Sequence, residues 1–194
     1  MSLSDKLALL ASGIVVLVYL TYFIQMVKQK STPNPATWSI WLIVSILNSI
    51  TYVQVADTKY QGMISVTMTV FISLLFVYAY KKKKFTALKK VDKLALQLTG
   101  LIGLIWLVTG EEKVANILLQ GVLLISFWPT IQGLRKEGAQ ESPAPWVLAV
   151  LAYVVLIMSM IVDFKGNYIA LVYPIVNGIV GNGVVAILAV KKNN

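Results

Sequence analysis

The chain has 194 residues, of which 58% are hydrophobic and 13% charged, whereas about a quarter of the residues in a soluble domain carry charge. It contains neither cysteine nor histidine, which excludes disulfides, thiolate or imidazole metal sites and any His- or Cys-dependent triad. No enzyme activity, cofactor or metal is therefore expected, and the net charge of +9 reads as a topology signal rather than a nucleic-acid patch.

Seven apolar blocks follow in chain order: Leu7 to Val27, Ala36 to Val55, Gly62 to Tyr80, Leu94 to Val108, Val114 to Leu134, Trp146 to Val162 and Tyr168 to Val190. A helix needs roughly 20 mostly apolar residues to span the ~30 Å hydrocarbon layer, and only the fourth block is clearly shorter. Bare backbone cannot be hydrogen-bonded in lipid, and the blocks lack the alternation of barrel strands. The expected fold is thus an all-α polytopic membrane protein of seven transmembrane helices, one membrane domain over 1–194.

The first block is longer than a signal-peptide core and no small-residue cleavage motif follows it, so it is expected to be retained. Lys81 to Lys93, the longest connection, holds seven lysines and suits a solvated linker. Alternating the gaps across the membrane puts 13 of the 17 Lys and Arg residues on one side and Lys6, Lys59, Lys113 and Lys165 on the other. The basic side is expected to be cytoplasmic, with the N-terminus outside and the C-terminus inside, in what the compact loops suggest is a cell membrane. Asp5, Asp57, Asp92, Glu111, Glu112, Glu137, Glu141 and Asp163 all fall at block ends or in loops. With no acid at mid-bilayer to relay protons, downhill facilitation is the simpler transport mechanism.

The second block carries Trp41, Ser45, Asn48 and Tyr52 at spacings of 4, 3 and 4, with Trp38 three residues earlier. That spacing makes one helical face, expected to look into the bundle. The third offers Ser65, Thr69 and Phe76; the fifth has Asn116, Gln120, Phe127 and Thr130 on one stripe. In the seventh, Asn177 and Asn182 would lie about 140° apart on an α-helix, so only one of them is expected to meet a solute. These residues read as a pocket in which amides bind a neutral polar solute and aromatic rings stack on it. They read equally as interhelical glue, at about 0.6–2 kcal/mol per contact. Trp38 and Trp146, in the first turns of their blocks, are expected in an interfacial aromatic belt. Gly178, Gly181 and Gly183 are expected to let the last helix approach a neighbour closely, and Pro129 and Pro174 to act as hinges.

An internal repeat connects the halves. Ser31-Thr32-Pro33-Asn34-Pro35 opens the second block and Glu141-Ser142-Pro143-Ala144-Pro145 the sixth, each followed by Trp. A shift of 110 superposes both proline pairs and the terminal lysines Lys81 and Lys191, while the Asp57/Lys59 and Asp163/Lys165 pairs sit at 106. This divides the chain into a first triple-helix repeat (5–84), a linker helix (91–110) and a second repeat (111–194). An odd helix between the triplets makes the 3+1+3 repeats parallel, the arrangement of several transporters.

In residues 21 to 55, the stretch from Thr21 to Thr32, then Pro33 and the span from Trp41 to Asn48, resembles the PQ-loop and SWEET (MtN3/saliva) superfamily of small-solute transporters. Pro129-Thr130 is similar to the second Pro-Gln motif, and Thr21-Tyr22 stands at the first. Pro174 with Asn177 and Gly178 resembles the family's Pro-Asn-x-x-Gly site, whose counterpart in the third helix falls near Thr67. The resemblance implies a seven-helix facilitator carrying a small neutral polar solute such as a sugar, with Asn48, Asn177, Trp41, Ser45, Tyr52, Thr67 and Gln120 at the substrate and Pro129 and Pro174 pivoting. Its partners would be the solute and the lipid bilayer, no nucleic acid, with homo-oligomerisation left open. Two alternatives stand beside it. The Trp38-x-x-Trp41 pair followed by Ser45 resembles the PnuC family of vitamin-precursor facilitators, and a non-transporting receptor or assembly protein on the same fold is illustrated by the KDEL receptor.

Overall fold

The computed structural model describes residues 1–33, 35–82, 90–136 and 139–193. Asn34, Glu137 and most of the predicted lysine-rich linker lie outside the described residues. All regular structure among the described residues is helical: α1 (Leu3–Val27), α2 (Pro35–Val55), α3 (Lys59–Lys81), α4 (Lys90–Thr109), α5 (Glu112–Lys136), α6 (Pro143–Val162), then α7 (Tyr168–Tyr173), a π-helical stretch (Pro174–Gly181) and α8 (Asn182–Asn193), which run on as one last span.

Among the described residues six helices are long and apolar enough to cross a membrane: Leu3–Val27, Thr37–Val55, Lys59–Lys81, Glu112–Lys136, Pro143–Val162 and Tyr168–Lys192. The predicted fourth span is α4, whose apolar part, Leu96–Thr109, is shorter than the rest. The outer surface fits a membrane-embedded protein. Leu10, Leu17 and Ile24 on α1, Val70, Leu74 and Val77 on α3, Leu101, Leu104 and Val108 on α4, and Leu151, Met158 and Ile161 on α6 all point outward and exposed. Water would leave so large an apolar surface unburied at great cost, and lipid does not.

Short polar motifs start the helices. Ser2 and Asp5 form a capping box at α1, the Ser2 hydroxyl accepting the Asp5 N–H at 3.1 Å and the Asp5 carboxylate the Ser2 N–H at 3.0 Å. Thr58 caps α3 through the Gln61 N–H, and Asn167 caps α7 through the Ala170 N–H. Asn167 also donates to the Val55 carbonyl and to Asp57 at 2.8 and 3.0 Å, tying the α2–α3 and α6–α7 turns together. By contrast the Asp163–Lys165 pair, at 3.8 Å with both side chains more than half exposed, adds little. Gly110, with φ +66, closes α4 in the left-handed conformation glycine tolerates.

In the bundle α1 packs along α6 and α3, α2 along α3 and α5, and the last span along α6 and α5; α4 lies against α5 and α2. The end where α1 finishes and α2 begins, here termed the basic end, brings the two proline-bearing connections side by side. The Thr32 N–H donates to the Gln140 carbonyl at 2.8 Å and the Ser142 N–H to the Ser31 hydroxyl at 3.0 Å. There the Lys192 ammonium donates to the carbonyls of Leu134 and Ala139, satisfying the end of α5.

The π-helical stretch has a local cause. Pro174 has no N–H to give the Ala170 carbonyl four residues earlier, and Tyr52 of α2 donates its hydroxyl to that carbonyl at 3.2 Å instead. Further on, the Asn182 amide donates to the Asn177 backbone carbonyl at 2.7 Å. The last span is therefore re-registered where the Tyr52 hydroxyl takes the place of the bond Pro174 cannot make, and the Asn177 carbonyl receives both the backbone N–H and the side chain of Asn182. Pro129, in contrast, lies inside an uninterrupted α5.

Candidate functional site

A cavity lies between α1, α2, α3, α5, α6 and the last span. Water centres have about 60 Å³ to move in, room for a few molecules when one needs ~10–15 Å³. A solute of sugar size fits only after the walls part.

Its polar wall is set by the α2 spacing. Asn48 has its side-chain oxygen held by two donors of α5, Asn116 and Gln120, each at 3.1 Å. Asn116 also donates to the Thr51 hydroxyl at 3.2 Å, and Gln120 to the Asn116 carbonyl at 2.8 Å. With the oxygen fixed, the amide orientation is determined. The Asn48 NH2, without a protein partner among the described residues, offers two donors to the cavity. Across from it Asn177 donates to the Tyr153 hydroxyl at 2.8 Å, leaving its side-chain oxygen as an acceptor on the cavity wall. The Tyr153 and Tyr173 hydroxyls are 2.8 Å apart and both stand within reach of the Met68 sulfur, so one hydroxyl donates to the other and the second proton goes to Met68. Ser45 donates back to the Leu42 carbonyl at 3.0 Å and keeps its lone pairs.

Of the residues singled out in the sequence, Trp41, Ser45, Asn48 and Asn177 line the cavity. Tyr52 sits behind Tyr173, ring centroids 4.7 Å apart, as the partner of the Ala170 carbonyl. Gln120 is one layer out, orienting Asn48. On α3 the wall is made by Ser65, Met68 and Ile72; Thr67 is not in it. Pro174 opens the π-helical stretch, while Pro129 is buried in α5.

Asn182 lines the cavity together with Asn177, which corrects the expectation that only one of them can. An α-helix would part them, but the i→i+5 bonding of a π-helix stacks residues five apart on one face. Trp38 and Trp146 also depart from expectation. Both are only 5% exposed and face inward onto the cavity, away from a lipid boundary. The reason is the company available inside. Trp38 packs on Tyr22 at 4.9 Å and on Trp41 at 5.5 Å, Trp41 on Phe127 at 5.1 Å and on Trp146 at 5.9 Å, and Trp146 on Tyr22 at 6.1 Å. These are ring contact distances, so the five rings close the cavity toward the basic end.

Behind the rings stands a residue that sequence reasoning counted only as a loop acid. Glu141 is 4% exposed. Its carboxyl accepts the Tyr22 hydroxyl at 3.1 Å and the Trp146 indole N–H at 3.3 Å, and it lies in hydrogen-bond reach of the Ser31 hydroxyl. Burial pushes its pKa from 4.5 up to about 8, against the opposing pull of those three hydrogen bonds. The only local signal was its place directly before Ser142-Pro143, in the proline-bearing connection. The partner that buries it, Tyr22, is 119 residues away.

Glycines let the last span close on its neighbours. A Cβ on Gly178 would lie 2.1 Å from Tyr153 Cγ, and one on Gly181 2.3 Å from Phe127 Cε2. Gly183, grouped with them in the sequence, faces only Val150 Cγ2 at 4.0 Å.

None of the described residues lining the cavity is a carboxylate or a cation, and no group of His, Cys, Asp or Glu among the described residues could hold a metal. Comparison with protein-family models, with curated proteins and with solved structures gives no match, so its chemistry is read from the geometry alone.

Proposed function

We propose that this membrane protein is a facilitator for a small neutral polar solute such as a sugar, which crosses between two triple-helix units by alternating access. The observation that carries the reading is the cavity wall: Asn48 offers donors, Asn177 an acceptor, three tryptophans offer ring faces, and none of the described lining residues carries a charge. Such a wall matches hydroxyl groups on one face of a solute and C–H groups on the other.

The neighbour pattern supports two equivalent triplets. Exchanging α1 with α5, α2 with α6 and α3 with the last span turns the α1–α6 contact into α5–α2, α1–α3 into α5–last span and α2–α3 into α6–last span, all of which occur. The cavity then lies between the triplets, as expected for parallel repeats, and α4 is the linker helix. In this reading the protein is a divergent relative of the SWEET and PQ-loop transporters. The basic end faces the cytoplasm of the cell, the N-terminus outside.

The test is uptake of labelled sugars, nucleosides, vitamin precursors and neutral amino acids into proteoliposomes carrying wild type or N48A/N177A. Saturable uptake of one class that equilibrates without concentration, lost in the folded double mutant, is the expected result. No uptake of any class by folded wild type would transfer the reading to a receptor or assembly role. The three tryptophans favour a second reading, a vitamin precursor with a planar ring, which the same panel separates from a sugar.

A further inference from the structure

Among the groups that hold the five-ring plug at the basic end, one is a carboxyl. Glu141 stands in the connection before α6, yet it holds Tyr22 of α1 and Trp146 of α6 at 3.1 and 3.3 Å and reaches Ser31 in the connection after α1. Tyr22 and Trp146 are themselves plug residues, packed on Trp38 and Trp41. A movement that opens the cavity toward the basic end by parting α1 from α6 breaks the Glu141 bonds to Tyr22 and Ser31, while Trp146 travels with Glu141.

We propose that Glu141 is a proton-operated latch on this gate: the protonated carboxyl holds α1 to α6 and keeps the plug shut, and loss of the proton to water lets it open. The inference rests on the transport reading above, since a plug that never opens needs no latch.

The surroundings fix the sign. The titratable group facing Glu141 is Tyr22 from α1; α6 presents the Trp146 indole, and the α1–α2 connection presents Ser31. Among the described residues of the same end, Lys28, Lys30, Lys81, Lys82, Lys90, Lys93, Arg135, Lys136 and Lys191 are exposed, and the Lys192 ammonium donates to the Leu134 and Ala139 carbonyls; Lys83, Lys84 and Lys89 lie outside the described residues. Glu137 lies outside the described residues. In the closed arrangement burial raises the carboxyl to about 8; once the plug parts, water reaches the carboxyl and restores the ordinary value near 4.5. Opening therefore releases one proton and closing takes one up. Between those two values the open-to-closed ratio rises about tenfold per pH unit. Protonated Glu141 keeps all its partners, because the Ser31 hydroxyl can accept from a carboxylic acid as readily as it donates to a carboxylate.

The chain has no cysteine, so a single introduced thiol reports the gate. Ser45 lines the cavity beyond the plug, and S45C is exposed to a membrane-impermeant cationic methanethiosulfonate in vesicles whose basic face points outward. K28C, on the exposed surface of the same face, corrects for the pH dependence of thiol chemistry. The S45C-to-K28C rate ratio is expected to rise at least about tenfold from pH 6 to pH 8, and E141Q in both backgrounds to hold it at its pH 6 value. A ratio flat with pH, or an unchanged rise in E141Q, overturns the latch. Should E141Q fail to fold, the ratio measured with Glu141 intact still decides. Uptake in the proteoliposome assay together with a flat ratio would discard the latch and retain transport; S45C unlabelled at every pH together with no uptake would discard both.

Discussion

Replacing Gly178 with alanine tests the π-helical last span most directly. The added Cβ would lie 2.1 Å from Tyr153 Cγ and 2.4 Å from its Cβ, where contacting carbons want about 3.5–4.0 Å. These atoms are the root of the side chain and cannot swing aside. Either α6 and the last span separate by more than an ångström, an overpacking cost of about 1–3 kcal/mol, or Tyr153 abandons its bonds to Tyr173 and Asn177, a loss of about 1–3 kcal/mol for buried groups. The helical preference of alanine over glycine returns only about 0.5–1 kcal/mol. A net loss of about 2 kcal/mol is expected, a fall of roughly 4–8 °C in Tm for a chain of this size. The assay is thermal unfolding of the purified protein in detergent, followed by tryptophan fluorescence, with G183A alongside. G183A meets only Val150 Cγ2 at 4.0 Å and should melt at or slightly above wild type. Equal melting of G178A and G183A would refute the close packing of the last span on Tyr153.

N182A removes the side-chain donor to the Asn177 backbone carbonyl but keeps the backbone N–H that also bonds it, and should cost about 0.5–1.5 kcal/mol, read in the same melting assay. Q120L frees Asn48 from one of its two orienting donors but also removes a buried amide oxygen with no partner. It should raise KM for the transported solute several-fold while leaving Tm within a few degrees. Glu141 makes stability pH-dependent. Its folded pKa of about 8 lies above the ordinary 4.5, so its contribution is complete below pH 4.5 and falls as pH rises toward 8. The slope is at most about 1.4 kcal/mol per pH unit, and E141Q should melt with a flatter pH profile over that window.

The α2 face was legible because a regular helix converts spacings of 4, 3 and 4 directly into neighbours, and Trp41, Ser45 and Asn48 meet the same cavity. The joint role of Asn177 and Asn182 was not, because it depends on a π-helical register that Pro174 starts and that Tyr52, 118 residues from Ala170, allows to persist. Trp38 and Trp146 illustrate the same boundary. Position near a helix start is all that a belt tryptophan and a gate tryptophan share in sequence, and only the packing of Tyr22 and Trp41 against them distinguishes the two. Glu141 is the clearest case: a loop acid is solvated by default, and burial came from a distant helix.

The two contacts that would join the triplets are built differently, and the difference bears on which one yields. Along α2–α5 the bonds are internal and not titratable: Asn48 with Asn116 and Gln120, the Trp41 indole with the Ser126 hydroxyl at 2.6 Å, and Thr130 with Thr37 at 3.3 Å. Breaking them strands buried amides and an indole N–H in an apolar interior, at about 1–3 kcal/mol each. Along α1–α6 polar bonds cluster at the two ends. Ser4, Ser159 and Gln61 join at one end, and Tyr22, Glu141 and Trp146 join at the other. Between those ends the buried residues of α1 include Ala8, Ala11 and Val15, and those of α6 Ala149 and Ala152. These small side chains let the two helices approach closely, so what holds the middle of this contact is apolar packing and no buried polar bond has to be broken there. Groups at the ends meet water as soon as they separate, which makes their bonds cheaper to exchange than the amide cluster. The α1–α6 contact is thus the one expected to slide, with α2–α5 as its fulcrum, and this puts Glu141 where a proton can act on it.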